Sequence, residues 1–335
     1  LTAAIAVGLG ALIKFTVLLF TVPTAVLFLM QRRREAARQW LLLPAVAALV
    51  IWSGYRFEVG PLPPALAFAP PGSFAQKVVS AVQILSSYGV PAPGFVRGVL
   101  EVIARNASGH RSYLLGELSD FGWWYYFPVA VAVKSTLPLL LLAAIAAASL
   151  RRTILCPLLG AVAVLAVSML SSRNLGIRDI LVIYPFLALA AAGLFAGRRR
   201  WLVAAAAALG VWHAAESISA HPDYLAYFNQ TARGREERFL LDSNLDWGQD
   251  LERLRVYLEQ NRIPAVYLSY CGRTDPRLLG IAGAKPLPAG LRPTGWVAIS
   301  KNHLGGILRD KSDLAWVEGH APAARIGKSL LLYHF

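Results

Sequence analysis

Three arginine clusters constrain this chain most: Arg32 to Arg34 with Arg38, Arg151 with Arg152, and Arg198 to Arg200, each set between long apolar runs. Basic residues gathered at alternate ends of apolar segments follow the positive-inside pattern of a membrane protein. With the clusters placed in the cytoplasm, every one of the 19 carboxylates except Glu35 falls on or toward the opposite face. Chemistry carried by those groups is then expected outside the cytoplasmic membrane.

Composition agrees with that arrangement. The chain is 56% hydrophobic and 16% charged, with a mean hydropathy of +0.50, and the apolar excess sits in residues 1–220. Residues 1–220 hold 18 Lys+Arg against 7 Asp+Glu, whereas residues 221–335 hold 15 against 12. Much of the basicity therefore belongs to the three clusters, which suit lipid headgroups. No basic stripe interleaved with aromatics marks a nucleic-acid surface, so nucleic acid is not an expected partner. Cys156 and Cys271 fall on opposite sides in this topology and are not expected to pair. Leu1 opens directly in an apolar run, and the chain reads as truncated at its N-terminus.

The apolar runs predict a polytopic α-helical membrane protein with about six crossings, each needing roughly 20 residues to traverse about 30 Å of hydrocarbon. The expected spans are 3–30, 39–52 or as far as 57, 123–150, 154–170, 180–196 and 201–218. The first is one span carrying a deep Lys14, or two short helices bent there. Span three is entered through Trp123, Trp124, Tyr125 and Tyr126, an aromatic belt. Residues 57–121 read as a long external loop, rich in proline, with helical spacing over 74–88 and 94–104. From His221 to Phe335 the pattern changes to short apolar strands and helical stretches. It predicts a soluble, exported α/β domain with a partly parallel sheet, and Leu251, Leu254, Tyr257 and Leu258 form one helical face.

Several polar groups are candidates for chemistry. An ionisable residue inside a membrane is costly, so Lys14 either binds an anionic lipid phosphate or snorkels and pairs with a neighbouring carboxylate. Arg173 and Arg178, with Asp179, lie at one external mouth; two guanidinium groups there grip a phosphate or anchor helices at the interface. His110 and Glu117 precede the aromatic entry of span three and are either an acid/base pair or ordinary loop residues. The densest polar run is Asp242-Ser-Asn-Leu-Asp-Trp-Gly-Gln-Asp250. Asp242, Asn244, Asp246 and Trp247 build a loop and a helix cap, or else bind a divalent cation or sugar hydroxyls. The spacing matches neither an EF-hand nor a zinc site, so no metal is assigned.

Five stretches, taken in order, resemble bacterial family 39 glycosyltransferases, relatives of the protein O-mannosyltransferases. They are Gly109-His-Arg-Ser-Tyr-Leu-Leu-Gly-Glu117; Gly122-Trp-Trp-Tyr-Tyr-Phe-Pro128 with Lys134; Gly176-Ile-Arg178 through Tyr184-Pro185-Phe186; His221-Pro-Asp-Tyr-Leu-Ala-Tyr-Phe-Asn229; and Asp242-Ser-Asn-Leu-Asp-Trp-Gly-Gln249. Together they cover most of residues 8–300. The resemblance implies a GT-C type enzyme in the bacterial cytoplasmic (inner) membrane. Such an enzyme passes a sugar from a polyprenyl-phosphate donor to a glycan, lipid or protein acceptor on the external face. It implies that Lys14 and Arg178 hold the donor phosphate, and it places the main catalytic carboxylate upstream of residue 1, so that this chain alone is expected to be inactive. The rival expectation is a transporter or lipid flippase component, in which Lys14 and Arg178 guide an anionic substrate across.

Overall fold

The computed structural model describes residues 2–15, 17–18, 20–21, 37–62, 70–85, 89–149, 152–197 and 199–335. Arg32 to Arg34, Arg151 and Arg198 of the arginine clusters lie outside the described residues.

The expectation of six crossings is overturned. Among the described residues one helix, Arg200–Ser219, is long and apolar enough to cross a membrane. The number rises to two if Tyr126–Lys134 and Leu137–Ala148, bent by 115° at their break, count as one span. The molecule is instead a mixed α/β protein with a five-stranded sheet. The physical reason is helix continuity. Thr2–Ile13 stops before Lys14, and Ile183–Ala192 is one of the shortest. At 1.5 Å per residue, helices of 10–17 residues reach only about 15–26 Å, short of about 30 Å of hydrocarbon. Among the described residues the apolar runs are cut into pieces.

The chain divides into two compact units. The first comprises Leu1–His110, Ala143–Arg173 and Val182–Val203. In it Thr2–Ile13 lies along Ala37–Gly54, so closely that a side chain at Gly8 would run into Val50 and the Ala47 carbonyl. Gly8 therefore serves helix contact. Ala11, Ile51, Ala92 and Phe95 form a small core, with Phe15 edge-on to Phe95 at 5.3 Å. Pro93 opens the helix Pro93–Ala107, where its missing N–H is no loss. Further along, Arg152–Ser168 runs beside Ile183–Ala192, with Phe186 lying over Gly160.

The second unit comprises Arg111–Leu142, Asn174–Leu181 and Ala204–Phe335. Its sheet has the order Ala284–Pro286, Val266–Ser269, Trp296–Ser300, Leu330–His334, Ala324–Ile326. The first three strands are parallel and the last two pair antiparallel. Strand alternation separates two apolar layers. Val266, Leu268, Ala298, Ile326, Leu330 and Leu332 meet Leu251, Leu254 and Leu258 of the helix Leu251–Gln260. On the other face Val297, Ile299 and Tyr333 meet Leu314 and Val317 of the 3-10 turn Lys311–Val317. Burial on both faces is what parallel strands require.

Asp250, fully buried, joins the helix start to the sheet. Its Oδ2 accepts from the amides of Lys328 (2.9 Å) and Ser329 (2.8 Å) and from the Ser329 hydroxyl (2.8 Å), while Oδ1 accepts from Arg253 (2.7 Å). Gly327 stands against that carboxylate with φ of 58°, and a Cβ there would collide with it. Gly327→Ala is expected to cost about 3 kcal/mol or more, the left-handed backbone penalty plus a displaced buried carboxylate. Gly234 also has a positive φ but open space around it, so Gly234→Ala should cost only about 1 kcal/mol. Urea denaturation of the two variants checks the contrast; equal losses would show that Asp250 does not brace the sheet.

Candidate functional site

Asn244 is fully buried and lies where three segments of the second unit meet. Its Oδ1 accepts from the Ile177 amide at 3.0 Å, and its Nδ2 donates to Tyr126 Oη at 2.9 Å and to the Leu241 carbonyl at 3.0 Å. Its own carbonyl accepts from Lys134 Nζ at 2.7 Å. Gly176 allows this approach, because a side chain there would strike Ser243 and Asn244. Ser243 closes the contact by donating to the Leu175 carbonyl at 2.6 Å.

Lys134 ends the helix Tyr126–Lys134. Its ammonium also donates to the Leu225 carbonyl at 2.7 Å and sits 4.3 Å from the Phe228 ring centroid. Asn229 bridges the helix break, donating to the carbonyls of Ala132 (2.6 Å) and Ser135 (2.8 Å), which a helix end otherwise leaves bare. Thr136, beyond the break, is 2.7 Å from His213 Nδ1.

The 3-10 turn Ile177–Ile180, fixed by Asn244, carries Arg178. Its guanidinium lies over the Trp247 indole, 4.7 Å from the ring centroid. The nearest carboxylate is Asp179 at 3.8 Å, and the Arg178 side chain is 39% exposed. Trp247 is 55% exposed. Arg178 makes no hydrogen bond with another described residue, so its N–H edge stays open to a ligand.

Trp247 is presented by a pinned loop. Asp246 is fully buried: Oδ1 accepts from the Gly248 amide at 2.8 Å, and Oδ2 accepts from the Ser300 hydroxyl. Asn302 Oδ1 accepts from the Asp242 amide at 2.8 Å, and its Nδ2 donates to the carbonyls of Asp242 (3.2 Å) and Asp246 (3.3 Å). Burial pushes the Asp246 carboxyl above its usual range, against the Ser300 and Gly248 bonds that lower it. Burial likewise raises the nearby Cys271 thiol to about 11.

Of the residues singled out in the sequence, the second unit brings together Arg178, Trp247, Asn244, Asp242 and Asp246. Asn244 and Asp246 act as architecture: their oxygens are engaged by the protein's own donors. Among the described residues no group of three or more His, Cys, Asp or Glu is placed to hold a metal ion. Glu117 lies exposed in the hairpin of Ser112–Leu114 and Glu117–Ser119, and its side chain makes no hydrogen bond or ion pair with a described residue. Lys14, His110 and Arg173 belong to the first unit, and Lys14 is exposed just past the end of Thr2–Ile13. Ser300 and Asn302 escaped the sequence reading, and Tyr126 and Asn229 stood there only inside longer stretches, because the role of all four is set by partners distant along the chain.

Replacing Asn244 by Ala leaves the Ile177 amide and the Tyr126 hydroxyl without partners. The expected cost is about 3 kcal/mol of stability, read by urea denaturation; a loss within error of zero would refute the hub. Asp246 gives a pH test with a defined sign. Its folded pKa lies above its unfolded value, so between the two values the native state holds the extra proton and stability falls as pH rises. Asp246→Asn removes that titration. Its stability relative to the parent should improve as pH rises from about 4, the usual aspartate value, toward neutrality, and a difference that stays constant over that rise would sink the assignment.

No protein-family model, no curated protein and no solved structure matches the chain.

Proposed function

We propose that the protein is a membrane-associated glycosyltransferase. It takes a sugar from a polyprenyl-phosphate donor and passes it to a hydroxyl of a glycan, lipid or protein acceptor on the external face of the bacterial cytoplasmic membrane. One observation carries this reading: a half-exposed guanidinium, Arg178, laid against an exposed indole, Trp247, on a backbone fixed by buried hydrogen bonds. A guanidinium stacked by its face keeps its N–H fork for a phosphate, and the indole offers apolar surface beside it. Such a site favours a phosphate joined to something apolar, as in a lipid-linked sugar.

In this reaction the acceptor oxygen forms a bond to the sugar's anomeric carbon while the carbon–oxygen bond to the lipid phosphate breaks. Arg178 stabilises the negative charge that gathers on the departing phosphate. A carboxylate takes the acceptor's proton. Asp246 and Asp250 are poor candidates for that base, being buried and bonded to protein donors. Arg200–Ser219, with Trp201, Val211 and Ile218 exposed, supplies an apolar surface for the lipid phase.

A transport reading would place its substrate at the helix break near Ser135. Lys134, Asn229 and His213 already fill the hydrogen-bonding needs there.

The test is binding of a polyprenyl monophosphate, with the uncharged polyprenol as control, to the full chain in detergent micelles. Arg178→Ala should weaken phosphate-dependent binding at least about tenfold, as expected for a charge-assisted contact. Arg178→Lys should recover part of the loss. Affinity unchanged in Arg178→Ala, with the fold intact by circular dichroism, overturns the proposal.

A further inference from the structure

The five-stranded sheet has a second feature, on the far side of Asn302 from the Asn244 hub in sequence and built on different side chains. From the carboxyl end of Val266–Ser269 the chain turns to one side, toward Ala284–Pro286. From the carboxyl end of its parallel neighbour Trp296–Ser300 it turns to the other, toward Ala324–Ile326 and Leu330–His334. Neighbouring parallel strands whose connections diverge leave a crevice at their carboxyl ends, the usual ligand position in open α/β sheets.

Three polar side chains converge there. Ser269 closes the first strand, His303 lies three residues past the second, and Arg309 follows in the next loop. Ser269 Oγ is 2.8 Å from His303 Nδ1. Arg309 Nη1 donates to Ser269 Oγ at 3.0 Å and to the Leu287 carbonyl at 2.8 Å, and Nη2 donates to the Pro288 carbonyl at 3.0 Å. Nε of the same guanidinium is buried and has no hydrogen-bond partner among the described residues. The Asp313 carboxylate stands 3.7 Å away, near enough to balance charge and too far for a hydrogen bond. Buried donors are nearly always satisfied, so one left open on a charged group calls for an acceptor.

His303 reinforces the arrangement. Burial, with Arg309 beside it, lowers its pKa to about 4, so the imidazole is neutral near physiological pH. Ser269 Oγ accepts from Arg309 and has one proton to give, and the tautomer that leaves His303 Nδ1 as acceptor takes that proton. The remaining imidazole proton then sits on Nε2, a further donor without a partner among the described residues. The cavity of about 340 Å³ at the amino ends of the strands lacks this character, since its Arg255 is held by Glu252 and Glu259.

We propose that the crevice binds a small anion through carboxylate or phosphoryl oxygens, with Arg309 Nε as the main donor, His303 Nε2 as the second, and Asp313 as the counter-ion displaced. An anion that replaces Asp313 keeps the guanidinium neutralised, which a neutral hydroxyl cannot do. The inference is independent of the lipid-donor reading.

The experiment is calorimetric titration of the full chain in detergent micelles with glucuronate and with inorganic phosphate at fixed ionic strength, glucose being the uncharged control. Saturable binding of at least one anion and none of glucose is expected; which anion binds identifies the group recognised. Arg309→Lys keeps the charge but loses the Nε geometry and should weaken binding at least about tenfold. Asp313→Asn should strengthen it at least about threefold, because a competing anion is removed. If near-ultraviolet circular dichroism shows Arg309→Lys unfolded, Asp313→Asn and a weakened His303→Gln decide. The proposal is overturned if neither anion binds saturably, if glucose binds as well as glucuronate, or if Asp313→Asn leaves affinity unchanged or lowers it.

Discussion

The buried amide of Asn244 is the constraint on which the second unit depends. It holds the Ile177 amide, the Tyr126 hydroxyl and the Leu241 carbonyl, and Lys134 holds its backbone oxygen. Every partner is itself part of a turn or helix end, where backbone groups have no ladder to satisfy them. In a low-dielectric interior such bonds strengthen one another, and the loss of one member exposes the others. Arg178 and Trp247 can therefore stay at the surface and still hold a fixed relation to each other. The rigidity lies beneath them, in residues that no ligand touches.

Local features were legible in the sequence and distant partnerships were not. The spacing of Leu251, Leu254, Tyr257 and Leu258 gives the helix Leu251–Gln260, and short apolar runs give the strands Val266–Ser269 and Trp296–Ser300. The helix Phe74–Leu85 falls inside the stretch 74–88, and Pro93–Ala107 covers the stretch 94–104 and runs past both its ends. By contrast, Lys134, Ser135 and Thr136 look like a minor interruption in an apolar run. The helix ends at Lys134 because Pro138 cannot donate to its carbonyl, and the break is held by Lys134 reaching carbonyls 91 and 110 residues away, at Leu225 and Asn244. Hydropathy sums along the chain and does not register partners of that kind, so it points to six crossings where helix continuity among the described residues supports one or two.

The candidate site divides along the same line. Arg178 and Trp247 were visible as residue types, but their stacking requires the turn Ile177–Ile180 and the loop after Asp242 to meet. The carboxylates of that loop looked like cation or sugar ligands because their number was visible while Ser300, Ser329 and Asn302 were not. Arg309 carries no motif at all. Its significance lies in one N–H that faces Asp313 yet finds no hydrogen-bond acceptor among the described residues.

Asp246 and Asp250 reach from one loop to the ends of adjacent strands, through Ser300 and Ser329. Sheet and loop are thereby laced at two points four residues apart, so fraying of the sheet margin also frees the indole at Trp247. The aromatic platform thus inherits the cooperativity of the sheet, and mutational drift at a serine inside the protein is felt as a change in surface chemistry.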